Sequence, residues 1–313
     1  MKRTFTLTFI GLIIIMAFVV PNWTATTTIF GTTYGSLSLS DAGAANYSIP
    51  ITGTPGTGGV SPRIALTYNN QGGNGLLGLG WSIDGLSTIS RGGKSIAQDS
   101  LVKDVQLNNE DTYNLDGERL ISINGVYGGE ETEYRTEQNA MIRLKSFGSV
   151  NGSPEKWIAY TKSGLIMEYG YSEDSKIEAQ GKTDILFWLV NKVYDTKGNY
   201  YTIQYQEDIN TGEYYPIQID YTGNDNAGLS PYASIQFNYE LRSDVAVEYL
   251  NGSMISRTKR ISSINTYYGN ILYRSYTPSY DEGNYHSVSL MTSIKECSGN
   301  NTCIKQTEED WNK

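Results

Sequence analysis

The sequence predicts an all-β protein, an extended antiparallel meander whose curved sheet is shell-like or sandwich-like. Its 313 residues include 25 tyrosines and 33 glycines but one histidine. Tyrosine favours half-buried pleated surfaces and glycine favours tight turns. Apolar and polar residues alternate with a period of two in several windows, as in strands with one buried face. Turn signals such as Asp116-Gly117 and Asn124-Gly125 separate these windows.

The N-terminus has the features of a secretory signal peptide. Lys2 and Arg3 precede an apolar run from Phe9 to Val20, which Pro21 ends. A charged segment followed by a short apolar one directs export and is then removed. The run is shorter than the ~20 residues of a membrane-spanning helix. We therefore predict a signal peptide over residues 1–25, without a defined cleavage site, followed by one β domain over residues 30–313. The exported protein would be extracellular, on the cell surface or periplasmic, with no stable membrane span.

A glycine cluster follows in the segment QGGNGLLGLGW. Residues 73–78 have the spacing G-x-G-x-x-G, which binds the pyrophosphate of a dinucleotide when it lies between a strand and a helix. RIALTY (residues 63–68) is a predicted strand on the upstream side. Downstream, Leu79, Trp81 and Ile83 alternate as in a strand, and further glycines and serines disfavour a helix.

We therefore predict that this cluster binds no nucleotide. Glycines beside large apolar residues let one backbone segment pass close to another, or let a strand bend. Gly75, Gly78 and Gly80 would shape such a bend, and the large side chain of Trp81 would anchor it.

The Tyr-rich part of the chain after residue 100 shows the clearest alternation. The windows YYTIQY, YYPIQIDY and SIQFNYEL each place apolar side chains on one face: Tyr201, Ile203 and Tyr205; Tyr215, Ile217, Ile219 and Tyr221; Ile235, Phe237, Tyr239 and Leu241. The segment DILFWLV (residues 184–190) is instead apolar on both faces, which is typical of a strand buried on both sides.

A distinctive set of residues lies between positions 31 and 93. Its members are Tyr47-Ser48-Ile49-Pro50-Ile51, Pro62, Leu66-Thr67-Tyr68, Gly75, Gly78-Leu79-Gly80-Trp81 and Ile89-Ser90-Arg91. This set resembles the opening of the SpvB family, the N-terminal region of a Salmonella virulence plasmid protein and of the B components of Tc insecticidal toxins. Less specific matches at residues 115–120, 134–137, 195–199 and 237–240 extend the resemblance over nearly the whole chain after the signal peptide.

The resemblance implies a structural role. In Tc toxins this region forms part of a hollow β shell together with a component made of Rhs-type YD repeats, and the shell encloses a toxic polypeptide. Residues 194–205 (YDTKGNYYTIQY) resemble a single YD repeat. The resemblance therefore implies a non-enzymatic module of an exported toxin or virulence assembly. Its strand edges would be available to a YD-repeat component or another shell segment.

The two cysteines, Cys297 and Cys303, enclose the turn-forming sequence SGNNT. In an exported protein this pair predicts a local disulfide that closes a small loop. A zinc site would need further ligands, and His286 is the one histidine available. We therefore predict a disulfide and no metal site.

Composition and motifs argue against several other function classes. The net charge of −9 makes nucleic acid a poor partner, because phosphate binding needs clustered lysine and arginine. A Ser-His-Asp triad would have to use His286, and no G-x-S-x-G motif is present. A glycosidase carboxylate pair cannot be singled out among 33 acidic residues. We predict no catalytic residue and no cofactor.

One alternative stays open, a secreted carbohydrate-binding or glycan-cleaving β protein. Aromatic-rich β-structures can expose tyrosine and tryptophan rings that stack on sugars. This alternative predicts a row of exposed, coplanar aromatic rings beside a pair of carboxylates. Burial of Trp157, Trp188 and the tyrosines would remove its main support.

Overall fold

The computed structural model of the chain describes residues 28–40, 43–138, 141–281, 288–305 and 307–308. The predicted signal peptide and His286 lie outside these residues. The described strands are β1 (Thr28–Thr32), β2 (Ser36–Leu39), β3 (Ala45–Pro50), β4 (Ala65–Asn69), β5 (Asn74–Gly75), β6 (Gly78–Leu79), β7 (Trp81–Asp84), β8 (Thr88–Gly92), β9 (Thr112–Leu115), β10 (Glu118–Asn124), β11 (Glu133–Thr136), β12 (Arg143–Phe147), β13 (Lys156–Tyr160), β14 (Ile166–Tyr169), β15 (Lys176–Glu178), β16 (Ile185–Tyr194), β17 (Asn199–Asp208), β18 (Glu213–Asn224), β19 (Ala233–Leu250), β20 (Ser253–Tyr268), β21 (Ile271–Asp281), β22 (Leu290–Ser298), β23 (Cys303–Lys305) and β24 (Thr307–Glu308). One helical turn, α1 (Ile96–Asp99), and two 3-10 turns at Thr57–Gly59 and Glu173–Ser175 complete the described elements. The predicted all-β class is confirmed.

Eight of the described strands close into a ring. Each pairs antiparallel with the next in the order β8, β9, β10, β11, β12, β13, β14 and β16, and β16 pairs back with β8. Closure is possible because the two halves of β16 have different neighbours. Residues 190–194 pair with β14, whereas residues 187–189 pair with β8 on the opposite edge. The result is a small β-barrel without free edges along its circumference.

Aromatic side chains fill the barrel. Tyr113, Tyr134, Trp157 and Trp188 are each 0% exposed. Their ring centroids lie 5.1 to 5.9 Å apart, mostly in edge-to-face or tilted arrangements. Such pairs add to the free energy gained by burying large apolar surfaces. The barrel interior is therefore a packed core and not a channel.

The same β16 is also the first strand of a long open sheet. An antiparallel meander runs from β16 through β17, β18, β19, β20 and β21 to β22. Both β23 and β24 pair antiparallel with β22, and β1 pairs parallel with β23. Residues 185–190 are all buried, which confirms a strand covered on both faces. The buried faces predicted for two windows are confirmed at Ile203, Tyr205, Tyr215, Ile219 and Tyr221.

The alternation predicted for the third window holds for only part of its length. Ile235 and Phe237 are buried, but Leu241 is 77% exposed, so its predicted place on the buried face is wrong. A register shift between Asn238 and Tyr239 interrupts the pairing of β19 with β20, and a second one follows Leu241. Each shift changes which residues point to the core, because side chains in a strand alternate between faces.

A four-stranded sheet in the order β2, β3, β4 and β7 packs against the long sheet. The segment after β3 joins the two sheets. The Thr52 N–H donates to the Tyr276 hydroxyl at 3.0 Å, and the Thr54 hydroxyl lies 3.0 Å from the Tyr221 hydroxyl. This small sheet carries 8 of the 17 residues that define the distinctive N-terminal motif, at positions 47–50, 66–68 and 81.

Strands β19 and β20 extend beyond their neighbours as a two-stranded arm, residues 237–263. β18 pairs with β19 only at residues 233–236, and β21 pairs with β20 only at residues 264–268. Beyond those points the two described strands pair with each other as far as Leu250 and Ser253. Asn251 and Gly252 form the turn, with φ of 51° and 79°, as two-residue hairpin turns require.

Candidate functional site: the glycine loop and the arm

The glycine cluster folds as a miniature hairpin in which β5 pairs with β6. At Gly78, where φ is +89°, a Cβ would lie 2.4 Å from the Ser289 carbonyl oxygen. At Gly75 a Cβ would lie 2.4 Å from the Trp81 carbonyl oxygen. The Leu79 N–H donates to the same Ser289 oxygen at 2.9 Å. The absence of a side chain at these two positions therefore lets this loop, residues 73–80, contact other backbone directly.

Trp81 lies immediately after this loop and is 1% exposed. Its ring centroid is 5.5 Å from that of Tyr68. It lines two cavities, one of about 480 Å³ bordered by the loop and one of about 340 Å³ between the small sheet and β22. Gly80, with φ of +78°, turns the chain into the strand that carries Trp81. Trp81 is thus buried directly after the loop, and its role as the anchor of the bend stays a prediction.

The loop does not have the geometry of a phosphate site. A dinucleotide fingerprint needs a helix whose N-terminus follows the glycines. Here the glycines lead into β6 and β7, and the next described helix is the single turn α1. The dinucleotide interpretation therefore lacks the element on which it depends.

A buried ion pair joins the arm to the loop. Arg242 and Asp244 lie in the irregular stretch of β19, with side chains 0% and 3% exposed. Arg242 Nε and Nη2 donate to the two oxygens of Asp244 at 2.8 and 2.7 Å. Two parallel bonds of this kind fix both side chains in one orientation. We call this pair the clamp.

The clamp binds the loop on one side and the start of β22 on the other. Arg242 Nη1 donates to the Gly75 carbonyl at 2.9 Å, and the Asn74 amide donates to Asp244 at 2.9 Å. The backbone N–H and hydroxyl of Ser289 donate to Asp244 at 2.6 and 2.7 Å. Burial alone would raise the pKa of Asp244, but the hydrogen bonds from Arg242, Asn74 and Ser289 outweigh burial and hold that pKa well below its usual range.

Arg91, the remaining residue of the predicted structural motif, lies in the barrel wall. It is 2% exposed, and its Nη1 lies 3.0 Å from Asp111. Its Nε donates to the Ile185 carbonyl at 2.6 Å, and its guanidinium lies 5.6 Å from the Trp188 ring centroid. Arg91 thus joins β8 to β16, the contact that closes the ring. Gly75 bonds to Arg242 of the clamp instead, so the motif residues lie in two different parts of the fold.

The arm is also tied down along β20 and at its tip. Buried Glu213 accepts from the N–H and hydroxyl of Thr258 and from the Lys259 N–H, at 2.7 to 3.2 Å. At the tip, the Asn251 amide donates to the Arg91 carbonyl at 3.1 Å. The outer edge of β20 is therefore covered from within the chain.

Cys297 and Cys303 are joined by a disulfide between β22 and β23. The two residues are directly opposite each other in an antiparallel pair. β23 in turn pairs with β1, so the bond lies beside the contact between the N-terminal strand and the end of the long sheet.

The aromatic residues that the carbohydrate alternative depends on do not form a row of exposed, coplanar rings. Trp157 and Trp188 are fully buried in the barrel. The exposed rings of Tyr232 and Tyr268 are neighbours, but their planes make an angle of 72°. Coplanar stacking on a sugar needs parallel faces, so the carbohydrate alternative loses its main support.

One carboxyl group has an unusual titration. Glu207 lies near Glu178 at a cavity of about 350 Å³, formed by residues 178–183 and 207–212 and lined by no described aromatic residue. Burial, together with the charge of Glu178, raises the pKa of Glu207 to about 7. Without an aromatic surface beside it, this pair does not form the arrangement that the carbohydrate alternative requires.

Within residues 28–40, 43–138, 141–281, 288–305 and 307–308, no three His, Cys, Asp or Glu side chains are grouped as ligands of one metal ion would be. No helix there has the length and apolar composition needed to cross a membrane.

Sequence reasoning missed the clamp and Glu213. Arg242 bonds to residues 167 and 168 positions away, and sequence periodicity carries no information about such contacts. One signal was available in ELRSDVAVEYL, where charges interrupt an otherwise alternating strand. An interruption of that kind indicates an irregular strand, but it does not identify the partner.

Comparison with known proteins agrees with this architecture. The family model described as the Salmonella virulence plasmid 65kDa B protein, SpvB, matches residues 39–226, which is more than half of the chain. No curated protein sequence matches.

Solved structures share the fold at low sequence identity. The crystal structure of TcdB2-TccC3 superposes with a TM-score of 0.71 at 18% identity, over 96% of this chain and 17% of that chain. The Tc holotoxin pore of Photorhabdus luminescens gives 0.68 at 18% identity, over 87% and 15%. The N-terminal domain of the effector SpvB from Salmonella typhimurium strain LT2 gives 0.63 at 17% identity, over 80% and 99%. The chain thus spans about a sixth of the Tc chains it matches.

Proposed function

This chain belongs to the SpvB family, and from that membership we propose that it is a non-enzymatic structural module of an exported toxin or virulence assembly. Its β-structure would contribute wall or scaffold that encloses or presents a toxic partner. The proposed partner is a YD-repeat component or another shell segment. The observation that carries the proposal is the superposition of 96% of the chain on part of TcdB2-TccC3.

The use of polar residues in the interior supports a structural role. The side chains of Arg91, Arg242, Asp244 and Glu213 are buried, and each forms hydrogen bonds with other parts of the chain. Buried polar groups whose hydrogen bonds are satisfied stabilise one arrangement of the strands around them. These residues join barrel, loop and arm, which is what a wall segment needs.

Export is part of the proposal. A disulfide between Cys297 and Cys303 persists in oxidising compartments outside the cytosol. The predicted signal peptide would direct the chain there. The proposed location is extracellular, at the cell surface or periplasmic.

The test is association with a YD-repeat protein encoded by the same genome. The full chain is expressed for export with its own N-terminal segment, and the two proteins are analysed together by size-exclusion chromatography with light scattering. We expect a stable complex of defined mass. A globular exported protein of similar acidity serves as the control. A chain that stays monomeric beside that partner would contradict the proposal.

A further inference from the structure

The face of the arm that points away from the body of the protein, here called the upper face, is apolar although it is exposed to solvent. Leu241, Val245, Val247 and Tyr249 are 77%, 51%, 55% and 69% exposed. Val245, Val247 and Tyr249 occupy alternate positions along β19, so their side chains form a row, whereas Leu241 precedes the irregular stretch. Large apolar side chains are scattered singly on most surfaces, and a contiguous row indicates a contact that is absent from the isolated chain.

The partner strand makes this face broader and keeps it uncharged. Val247 is opposite Ser256, and Tyr249 is opposite Met254. The lower face is different, because it carries the ion pair between Glu248 and Arg257 at 2.5 Å and the buried side chain of Ile255. The arm therefore has a charged face toward the body and an uncharged face toward solvent.

The two edges of the arm differ in whether their backbone groups are hydrogen-bonded to other parts of the chain. On the β20 edge, Glu213 accepts from backbone N–H groups, the Ser256 N–H donates to Thr211 and the Ile261 N–H donates to Leu76. On the β19 edge, no described strand pairs with residues 237–250. The clamp fixes the irregular stretch at residues 242–244, and beyond it residues 246–250 pair with β20 in regular register. This regular edge, which no strand in the described ranges covers, has the length of an ordinary strand.

We propose that the β19 edge at residues 245–250 receives an extended β-strand of the assembly partner, which would lengthen the arm into a three-stranded sheet. The inference rests on the proposed function. Backbone groups of the edge would bond the added strand, and its alternate side chains would pack beside Val245, Val247 and Tyr249.

The chemistry of the face selects the occupant. A side chain that packs beside this row loses its water, so a charged one would have no partner to compensate it. The added strand must therefore present uncharged, aliphatic or aromatic residues on that side. In TcdB2-TccC3 the matched fold is 17% of the chain, so a shell of that kind has abundant polypeptide outside this fold to supply such a strand.

The experiment compares two lysine substitutions in the full chain. Val247→Lys places a charge in the row, and Ile123→Lys places one on barrel strand β10 at a matched position, since the two side chains are 55% and 53% exposed. Each variant is titrated with the YD-repeat protein, and hydrogen exchange of residues 245–250 is measured with and without it. Thermal unfolding of the isolated variants should stay close to that of the parent chain.

We expect Val247→Lys to weaken association at least tenfold, Ile123→Lys to leave it unchanged, and the amides of residues 245–250 to exchange more slowly in the complex. Complex formation that Val247→Lys does not weaken would overturn the inference and leave the proposed function intact. Slow exchange caused by self-association of the chain alone would also overturn it, in favour of a second copy. Failure of the parent chain to bind would contradict the proposed function, and this inference with it.

Discussion

At Gly78 a positive φ coincides with close contact to another backbone segment. Gly78 and Gly117 have nearly equal φ, +89° and +86°, but a Cβ at Gly117 would meet no atom within 4 Å. Gly117→Ala should therefore lower the free energy of unfolding only by the strain of a left-handed alanine, roughly 1–2 kcal/mol. Gly78→Ala adds a clash with the Ser289 carbonyl and should cost more than about 3 kcal/mol. Urea unfolding measures both, and equal losses would contradict the contact.

The clamp gives a second prediction for single residues. Arg242→Met should destabilise the fold by about 3–5 kcal/mol, because it leaves the buried Asp244 charge without its partner. Lys103→Met is the control. It breaks a pair with Glu110 whose side chains are 36% and 49% exposed, and it should cost at most about 1 kcal/mol. If the double variant Arg242→Met with Asp244→Leu is no more stable than Arg242→Met, the unpaired charge is not the cause of the loss.

At the scale of single residues, sequence identified the loop but not what it binds. Gly75, Gly78, Gly80 and Trp81 were predicted to form an anchored bend, from their composition and from the absence of a helical pattern. The glycines indicate that another part of the chain approaches the backbone of the loop closely. That the approaching groups are Ser289 and Arg242 depends on how distant strands come together.

At the scale of elements, period two predicted the buried faces of β17 and β18 but not the neighbours of any strand. Closure of the barrel needs Phe187 to pair with Ser90, which lies 97 positions earlier. Alternation indicates which side chains point inward, and it is the same whether a strand lies in a ring or in an open sheet. The apolar run of β16 is the one sequence feature that indicates its place in both the ring and the long sheet, since such a strand is covered on both faces.

The disulfide gives a prediction for the end of the long sheet. The cysteines are 6 positions apart, and closing so short a loop reduces the conformational entropy of the unfolded chain only modestly. Replacing both by serine should cost about 2 kcal/mol. The loss should be local, so hydrogen exchange should accelerate in β22, β23 and β1 while the barrel amides stay protected. Reductant should destabilise the parent chain and leave the double variant unchanged. Faster exchange throughout the barrel would show that the bond supports the whole fold.

At the scale of the molecule, Glu207 links stability to pH, because its cavity lies where β15 and the loop before β18 meet. Its pKa is raised from 4.5 to about 7, so the folded chain binds more protons than the unfolded chain between these values. Stability therefore falls as pH rises through that interval.

Glu207→Gln should remove this fall, since the amide stays neutral. We expect the variant to have a higher Tm than the parent chain at pH 8 and a similar Tm at pH 4. The exposed Glu130→Gln should leave the profile of the parent chain unchanged. A parent chain whose Tm follows the same pH profile as that of Glu207→Gln would exclude the raised pKa.

Because β16 belongs to both the ring and the long sheet, the main sheet has the topology of a lasso, a closed loop with a tail. A flat ribbon has two termini at which strands can be added, whereas a lasso has one. Among the described strands, apart from the arm and the three-residue strand β15, whose one pairing is with β16, this sheet can therefore be extended only at its tail, because the ring has no free edge. A sheet that continued from this unit would begin at the barrel and lengthen at the tail, near β22, β23 and β1.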